Sequence, residues 1–166
     1  PSEELLKFFE TRYELYNSKI RYDIARATKH LWTRPLRGIL SANAIYKLVG
    51  SEEFEHLLVG FERVHNISRK HDSTDFDSTK FVETEERELF EKFIEVKPKA
   101  LEALEHLNYQ TALEEVIKLR PFIDRYFDKV FVMAEEEDIR LNRLGFLKSI
   151  DQLFMEIGDL TQIERI

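Results

Sequence analysis

Residues 119–159 read LRPFIDRYFDKVFVMAEEEDIRLNRLGFLKSIDQLFMEIGD, and their pattern sets the class of the fold. A short apolar run, Val130, Phe131, Val132 and Met133, is followed by the acids Glu135, Glu136, Glu137 and Asp138. A long periodic segment then carries Arg140 and Arg143 among its apolar positions. Over 135–157, Ile139, Leu144, Leu147, Ile150, Phe154 and Ile157 recur at three- and four-residue steps, the period of an amphipathic helix. The acids suit its first turn, where negative side chains offset unpaired N–H groups. Gly158 can end it and Asp159 can cap a final turn. The 130–133 run is too short for a helix. It reads as an isolated extended segment or a buried turn, with Phe131 and Met133 expected in the core.

The same logic applies outward. Ser2 can cap a first helix that sets Leu5, Leu6, Phe9, Tyr13 and Tyr16 on one face. After a break at Asn17-Ser18, a second helix over 20–31 turns Ile24, Ala27 and Leu31 inward. Pro35 opens a third helix, with Leu36, Ile39, Leu40, Ala44 and Leu48 inward, and Gly50 closes it. Ser51 caps a fourth, to about residue 70, with the stripe Phe54, Leu57, Leu58, Phe61, Val64 and Ile67. Residues 72–80, DSTDFDSTK, have no helical period and read as a polar loop able to move. A helix resumes near Thr84, and Pro98 is expected to kink or break it before Leu101, Leu104 and Leu107 continue its apolar face. Ala112, Leu113, Val116, Ile117 and Leu119 outline another helix, and Pro121 opens a short one. The expectation is an all-α bundle of seven or eight helices in one domain.

Composition agrees. The 166 residues are 43% hydrophobic and 34% charged, with five Gly and four Pro, which favours long helices over strands and turns. Without cysteine there is no disulfide framework, thiolate zinc site or cysteine nucleophile, in keeping with a reducing compartment. No apolar run approaches the roughly 20 residues of a membrane span, and PSEELLKFF lacks the features of a signal peptide. The lack of an initiator Met suggests a section of a longer protein, with any catalytic machinery elsewhere.

A net charge of −7 argues against indiscriminate nucleic-acid binding but leaves room for a local basic face. Between residues 19 and 37, six cations (Lys19, Arg21, Arg26, Lys29, Arg34, Arg37) meet one acid, Asp23. This is either a solvated helix surface or a phosphate-facing flank on which Tyr22 and Trp32 could stack bases.

Tests for catalysis find little. The glycine-rich nucleotide loops and the G-x-S-x-G elbow are missing. His71-Asp72 has no further ligands at metal spacing. Asp75, Asp77, Thr79 and Glu86 imitate a calcium loop, yet Lys80 stands where that loop needs glycine. Arg140 and Arg143 are sharper candidates. They project from neighbouring positions on one helix face and suit phosphate or base edges, or they pair with Asp124, Asp128 or the nearby acids. Asn142 has a fork suited to a base edge, on a different face.

Ile123-Asp124, Phe127-Asp128, Val130, the V-M-A of 132–134 and the R-x-N-R-L of Arg140, Asn142, Arg143 and Leu144 resemble the C-terminal anticodon-binding domains of bacterial glycyl-tRNA synthetase β subunits. That group is named for a D-A-L-R signature, whose positions here read Glu137-Asp138-Ile139-Arg140 with only the arginine identical. FFETRYELYNSKIRYDIARA and EEFEHLLVGFERVHNI extend the likeness over most of the chain. The resemblance implies a cytoplasmic domain that binds the anticodon region of tRNA-Gly. ATP- and Mg²⁺-dependent attachment of glycine would occur elsewhere in an assembly with an α subunit, as α2β2, and the rest of the β subunit. It marks Arg140, Asn142 and Arg143 as motif positions. Charge and expected exposure add Arg63, Asn66, Arg69 and Lys70 at one helix end, with Lys29 and Arg34 as a flank. This chain itself is expected to be non-catalytic and to hold no cofactor. The competing reading is an assembly module that contacts a partner subunit and never touches RNA.

Overall fold

A computed structural model describes residues 2–165. Among them are eight α-helices and no strand. Helices α1 (Glu3–Ser18), α2 (Tyr22–Thr28), α3 (Pro35–Leu48) and α4 (Glu52–Ser68) form the first half. Helices α5 (Thr84–Glu105), α6 (Tyr109–Ile117), α7 (Arg120–Lys129) and α8 (Glu137–Met155) form the second. Short 3-10 turns lie at Lys29–Leu31, Ser78–Lys80 and Leu160–Gln162.

The caps explain where the helices start. Ser2 and Ser51 accept from the N–H groups of Leu5 and Phe54, each satisfying a donor that the first turn leaves free. Asn108 does the same for Thr111. Pro35 stands in the first turn of α3 as expected. Pro98 does not break α5, which runs through it. Ile94 and Pro98 are both exposed, so the carbonyl deprived of its donor is open to water. At the end of α5, Leu107 takes φ 59°, and Asn108 and Leu107 donate N–H groups to the carbonyls of Ala103 and Leu104. This is a Schellman closure with leucine where glycine is usual.

Helices α4 and α8 make the centre of the core and run antiparallel. Phe61 meets Phe154 at 4.8 Å between ring centroids, and His65 meets Asp151 at 2.8 Å. Further along, Lys148 reaches the carbonyl of Arg69. Phe54, Phe61, Phe146 and Phe154 are wholly buried, each contributing about 1.5–3 kcal/mol relative to exposure. Of the inward positions assigned to the last long helix, Leu144, Leu147, Ile150, Phe154 and Ile157 are buried, and Ile139 in its first turn is half-buried.

Three stripes depart from expectation. Past Pro98, Leu101 and Leu107 are 39% and 37% exposed, and Leu104 alone of that set is buried. On α1 only Tyr13 of the apolar set is buried, whereas Leu5, Leu6, Phe9 and Tyr16 are 37–55% exposed. Leu36 on α3 is also exposed. Periodicity identifies a face and not what covers it; α1 meets its neighbours chiefly through Tyr13 and Asn17.

The 72–80 segment crosses α8 at close range. A Cβ on Gly145 would collide with the carbonyl oxygen of Asp75, so only glycine permits the crossing. Ser149 donates its hydroxyl to the carbonyl of Thr74. Phe76 enters a ring cluster with Phe81, Phe90 and Phe146, at 5.1 Å from the last.

Candidate nucleic-acid interface

The first turns of α8 bring the three motif residues into different environments. Asn142 is buried, and its carboxamide pairs with one residue of the crossing loop. Its oxygen accepts the N–H of Asp77 at 2.6 Å, and its nitrogen donates to the carbonyl of Asp77 at 3.0 Å. Both ends of its fork are thus used within the chain.

Arg143 is buried as well, and its partner is Glu86 on α5, none of the acids considered from the sequence. Nε lies 2.8 Å and Nη2 3.3 Å from the two carboxylate oxygens, while Nη1 donates to the carbonyl of Phe131 at 2.6 Å. Burial alone would raise the Glu86 pKa. Hydrogen bonds from Arg143 and from the backbone N–H groups of Glu83 and Val82 outweigh it, and the carboxyl is held below its ordinary range. Glu86 also completes a capping box with Glu83 at the start of α5. The pair ties α5, α8 and the turn after α7 together. Tyr126, buried beside it, has its phenol pushed upward by burial, with the charge of Glu86 adding to the shift.

Arg140 is half-buried and donates to the carbonyls of Ala134 and Glu135 at 3.0 and 3.3 Å, closing the turn that precedes α8. Around it, the Glu135, Glu136, Glu137 and Asp138 side chains are all exposed.

The 130–133 segment corrects one assignment. Val130 and Val132 are buried, but Phe131 is 72% and Met133 51% exposed. Alternation along an extended turn sends successive side chains to opposite sides. Phe131 thus presents its ring to solvent while Arg143 holds its carbonyl.

The end of α4 is different in kind. Arg63, Asn66, Arg69 and Lys70 are all exposed. Arg63, Asn66 and Lys70 follow at three- and four-residue steps and share a face. Arg63 lies over the ring of Phe127 at 4.4 Å, which joins this face to the C-terminal half of α7. Lys148, not singled out from the sequence, reaches Arg69 across the α4–α8 contact. Among the described residues, none of these cations is within ion-pair distance of an acid. A single sequence window cannot reveal Lys148 as a neighbour, because 79 positions separate it from Arg69.

Lys29 and Arg34 stand on other elements, in the 3-10 turn at Lys29–Leu31 and just before α3. Next to Lys29, His30 bonds to the carbonyl of Met155 at the far end of α8. Met155 lies seven positions beyond Lys148, about 10 Å along α8 at a rise of about 1.5 Å per residue. Much of the basic 19–37 segment is also neutralised, by its own Asp23 and by acids from outside it. Arg21 pairs with Asp23 at 2.8 Å, Arg26 with Glu164 at 3.6 Å and Lys29 with Glu14 at 3.6 Å, while Arg34 is exposed.

The remaining titratable groups have local duties. Asp77 caps a 3-10 turn through the N–H and hydroxyl of Thr79, and Glu86 is engaged by Arg143, so the calcium-like spacing reflects loop and helix closure. Among the described residues, no group of three or more His, Asp or Glu side chains is placed to hold a metal ion. No helix among them is long and apolar enough to cross a membrane.

Comparison with known proteins adds the family. The model of the DALR anticodon binding domain matches residues 57–166, which take in most of α4 and all of α5 to α8. The chain is 54% identical over 165 residues to the glycine–tRNA ligase beta subunit of Thermotoga petrophila, covering 98% of this chain and 25% of that protein. It is 34% identical over 163 residues to the same subunit of Persephonella marina, covering 96% and 23%. With that of Clostridioides difficile it shares 32% over 164 residues, covering 97% and 24%. The chain spans about a quarter of the length of the curated relatives it matches. The match to residues 57–166 covers more than half of the chain, and the chain belongs to the DALR anticodon binding domain family.

Proposed function

We propose that this domain binds the anticodon region of tRNA-Gly as one section of a glycine–tRNA ligase β subunit. The observation that carries the reading is the unpaired basic face of exposed Arg63, Arg69 and Lys70 with half-buried Lys148 beside them, in a chain of net charge −7. Such cations position a phosphate backbone, while bases splayed from a single-stranded loop are read by stacking and hydrogen bonds. Asn66 lies among the cations with both amide groups available to a base edge. Phe131, four residues beyond Phe127, offers a ring for stacking on a carbonyl-anchored backbone. Arg140 acts chiefly by closing the turn that carries Phe131, and Asn142 and Arg143 act as supports. The role is to hold tRNA so that its acceptor end reaches a catalytic site outside this chain.

Glycine activation, ATP and Mg²⁺ belong in this reading to the rest of the ligase, with an α subunit and a cytoplasmic setting. No side-chain cluster described above fits a metal, and no chemical step is assigned to these residues.

The test is binding of this chain to tRNA-Gly and to a version with a substituted anticodon, at two salt concentrations, with Arg69→Ala and Arg140→Ala alongside. Salt-sensitive binding, weakened by the altered anticodon and by Arg69→Ala, is the expected result. Equal affinity for both tRNAs would reduce the role to backbone positioning, and lack of binding at low salt would overturn it.

A further inference from the structure

The exposed face of α1 forms one wall of a groove of about 550 Å³ against α3 and the segment before it. Leu6, Phe9, Tyr16, Trp32, Pro35 and Ile39 line it, and Arg12 is its one charged wall residue. Outside the groove the apolar surface continues through Phe8 and Leu15, exposed by 53% and 58%. A 16-residue helix is marginal in water by itself, and here only Tyr13 and Asn17 anchor it in the core. Contiguous apolar surface of this kind marks a contact site.

We infer that this groove is the seat of an apolar segment from the remaining polypeptide of the same β subunit. The inference rests on the proposed reading only in taking the chain as one section of such a subunit. Relatives 54% identical to it carry about three quarters of their length outside the matched region, so a covering segment is available in cis. A tethered segment also binds at high effective concentration, which makes a modest groove sufficient. The wall chemistry excludes a phosphate backbone as the main occupant, since a single guanidinium cannot neutralise one. A second copy is disfavoured by bringing together two chains of net charge −7.

The chain has no cysteine, so Phe9→Cys introduces a single thiol in this domain. Its alkylation rate is to be measured, by mass spectrometry of the peptide that contains position 9, in this chain and in the full-length β subunit. Glu91→Cys on the exposed side of α5 serves as the control. The expected result is at least tenfold slower modification of position 9 in the full-length subunit, with the control unchanged. Amide exchange of α1 in both unaltered proteins is expected to slow by a similar factor, and this reading survives even if Phe9→Cys weakens the contact. Equal rates in the two proteins would overturn the inference. So would protection that rises with concentration of this chain alone, or that appears only on adding α subunit or tRNA. Failure of the anticodon reading would register instead in RNA affinity, which this experiment does not measure.

Discussion

Glu86 and Arg143 lie 57 positions apart and meet in the interior with two hydrogen bonds between them. Removing one partner of a buried ion pair leaves the other charge uncompensated, at a cost of about 3–5 kcal/mol. Glu86→Gln is therefore expected to lower unfolding stability by that order in urea denaturation. A smaller change than about 1 kcal/mol would mean that water already compensates Arg143. The pair also sets a pH dependence. The folded carboxyl has a pKa below its ordinary value of 4.5, so its contribution is complete above that value and is lost as pH falls through the lower folded pKa. Stability is expected to decline on acidification below 4.5, and Glu86→Gln to flatten part of that decline. Acid titrations of the two proteins, followed by circular dichroism, check this.

Single positions govern how whole elements meet. Gly145 lets the 72–80 segment lie directly on α8, where the side chain of any other residue would strike the Asp75 carbonyl. Gly145→Ala is expected to cost about 1–3 kcal/mol, the usual range for forcing atoms into filled space. Amide exchange at 74–77 should accelerate with it, because the pairing of Asp77 with Asn142 and of Thr74 with Ser149 depends on the same approach. The end of α5 offers the opposite case. Leu107 occupies a left-handed conformation that costs an L-residue roughly 1–2 kcal/mol, and its side chain is 37% exposed. Leu107→Gly relieves that strain while losing limited burial, so a gain of about 1 kcal/mol is expected in thermal or urea unfolding. A loss would show that its apolar contacts outweigh the strain.

Across the whole molecule, charge is distributed unevenly, and the distribution distinguishes two basic regions. The 19–37 region is partly neutralised by Glu14, Asp23 and Glu164, whereas the end of α4 is not. Each cation that neutralises a phosphate of a single strand contributes about 0.7 to the slope of log affinity against log salt. Replacing Arg69 and Lys70 by alanine is expected to reduce that slope for tRNA by roughly this amount per residue. Lys29→Ala and Arg34→Ala should leave it unchanged. Titrations at several salt concentrations compare the four variants, and an effect confined to Lys29 and Arg34 would move the interface to the 19–37 segment.

The helical class, the caps at Ser2 and Ser51, the start at Pro35 and the buried stripes of α4 and α8 were all legible in the chain, because spacing and capping are local properties. The family was legible too, in the residues that flank the altered D-A-L-R positions. Other features depend on contacts across the fold. The sequence kept pairing and binding roles open for Arg143; burial against a glutamate on another helix decided for pairing. It offered no reason to group Lys148 with Arg69, and it left open whether 130–133 is extended, which is what exposes Phe131 between two buried valines. Periodicity marked α1 as amphipathic, yet its face is exposed, since a helix's pattern states what it can bury and only its neighbours determine what it does bury.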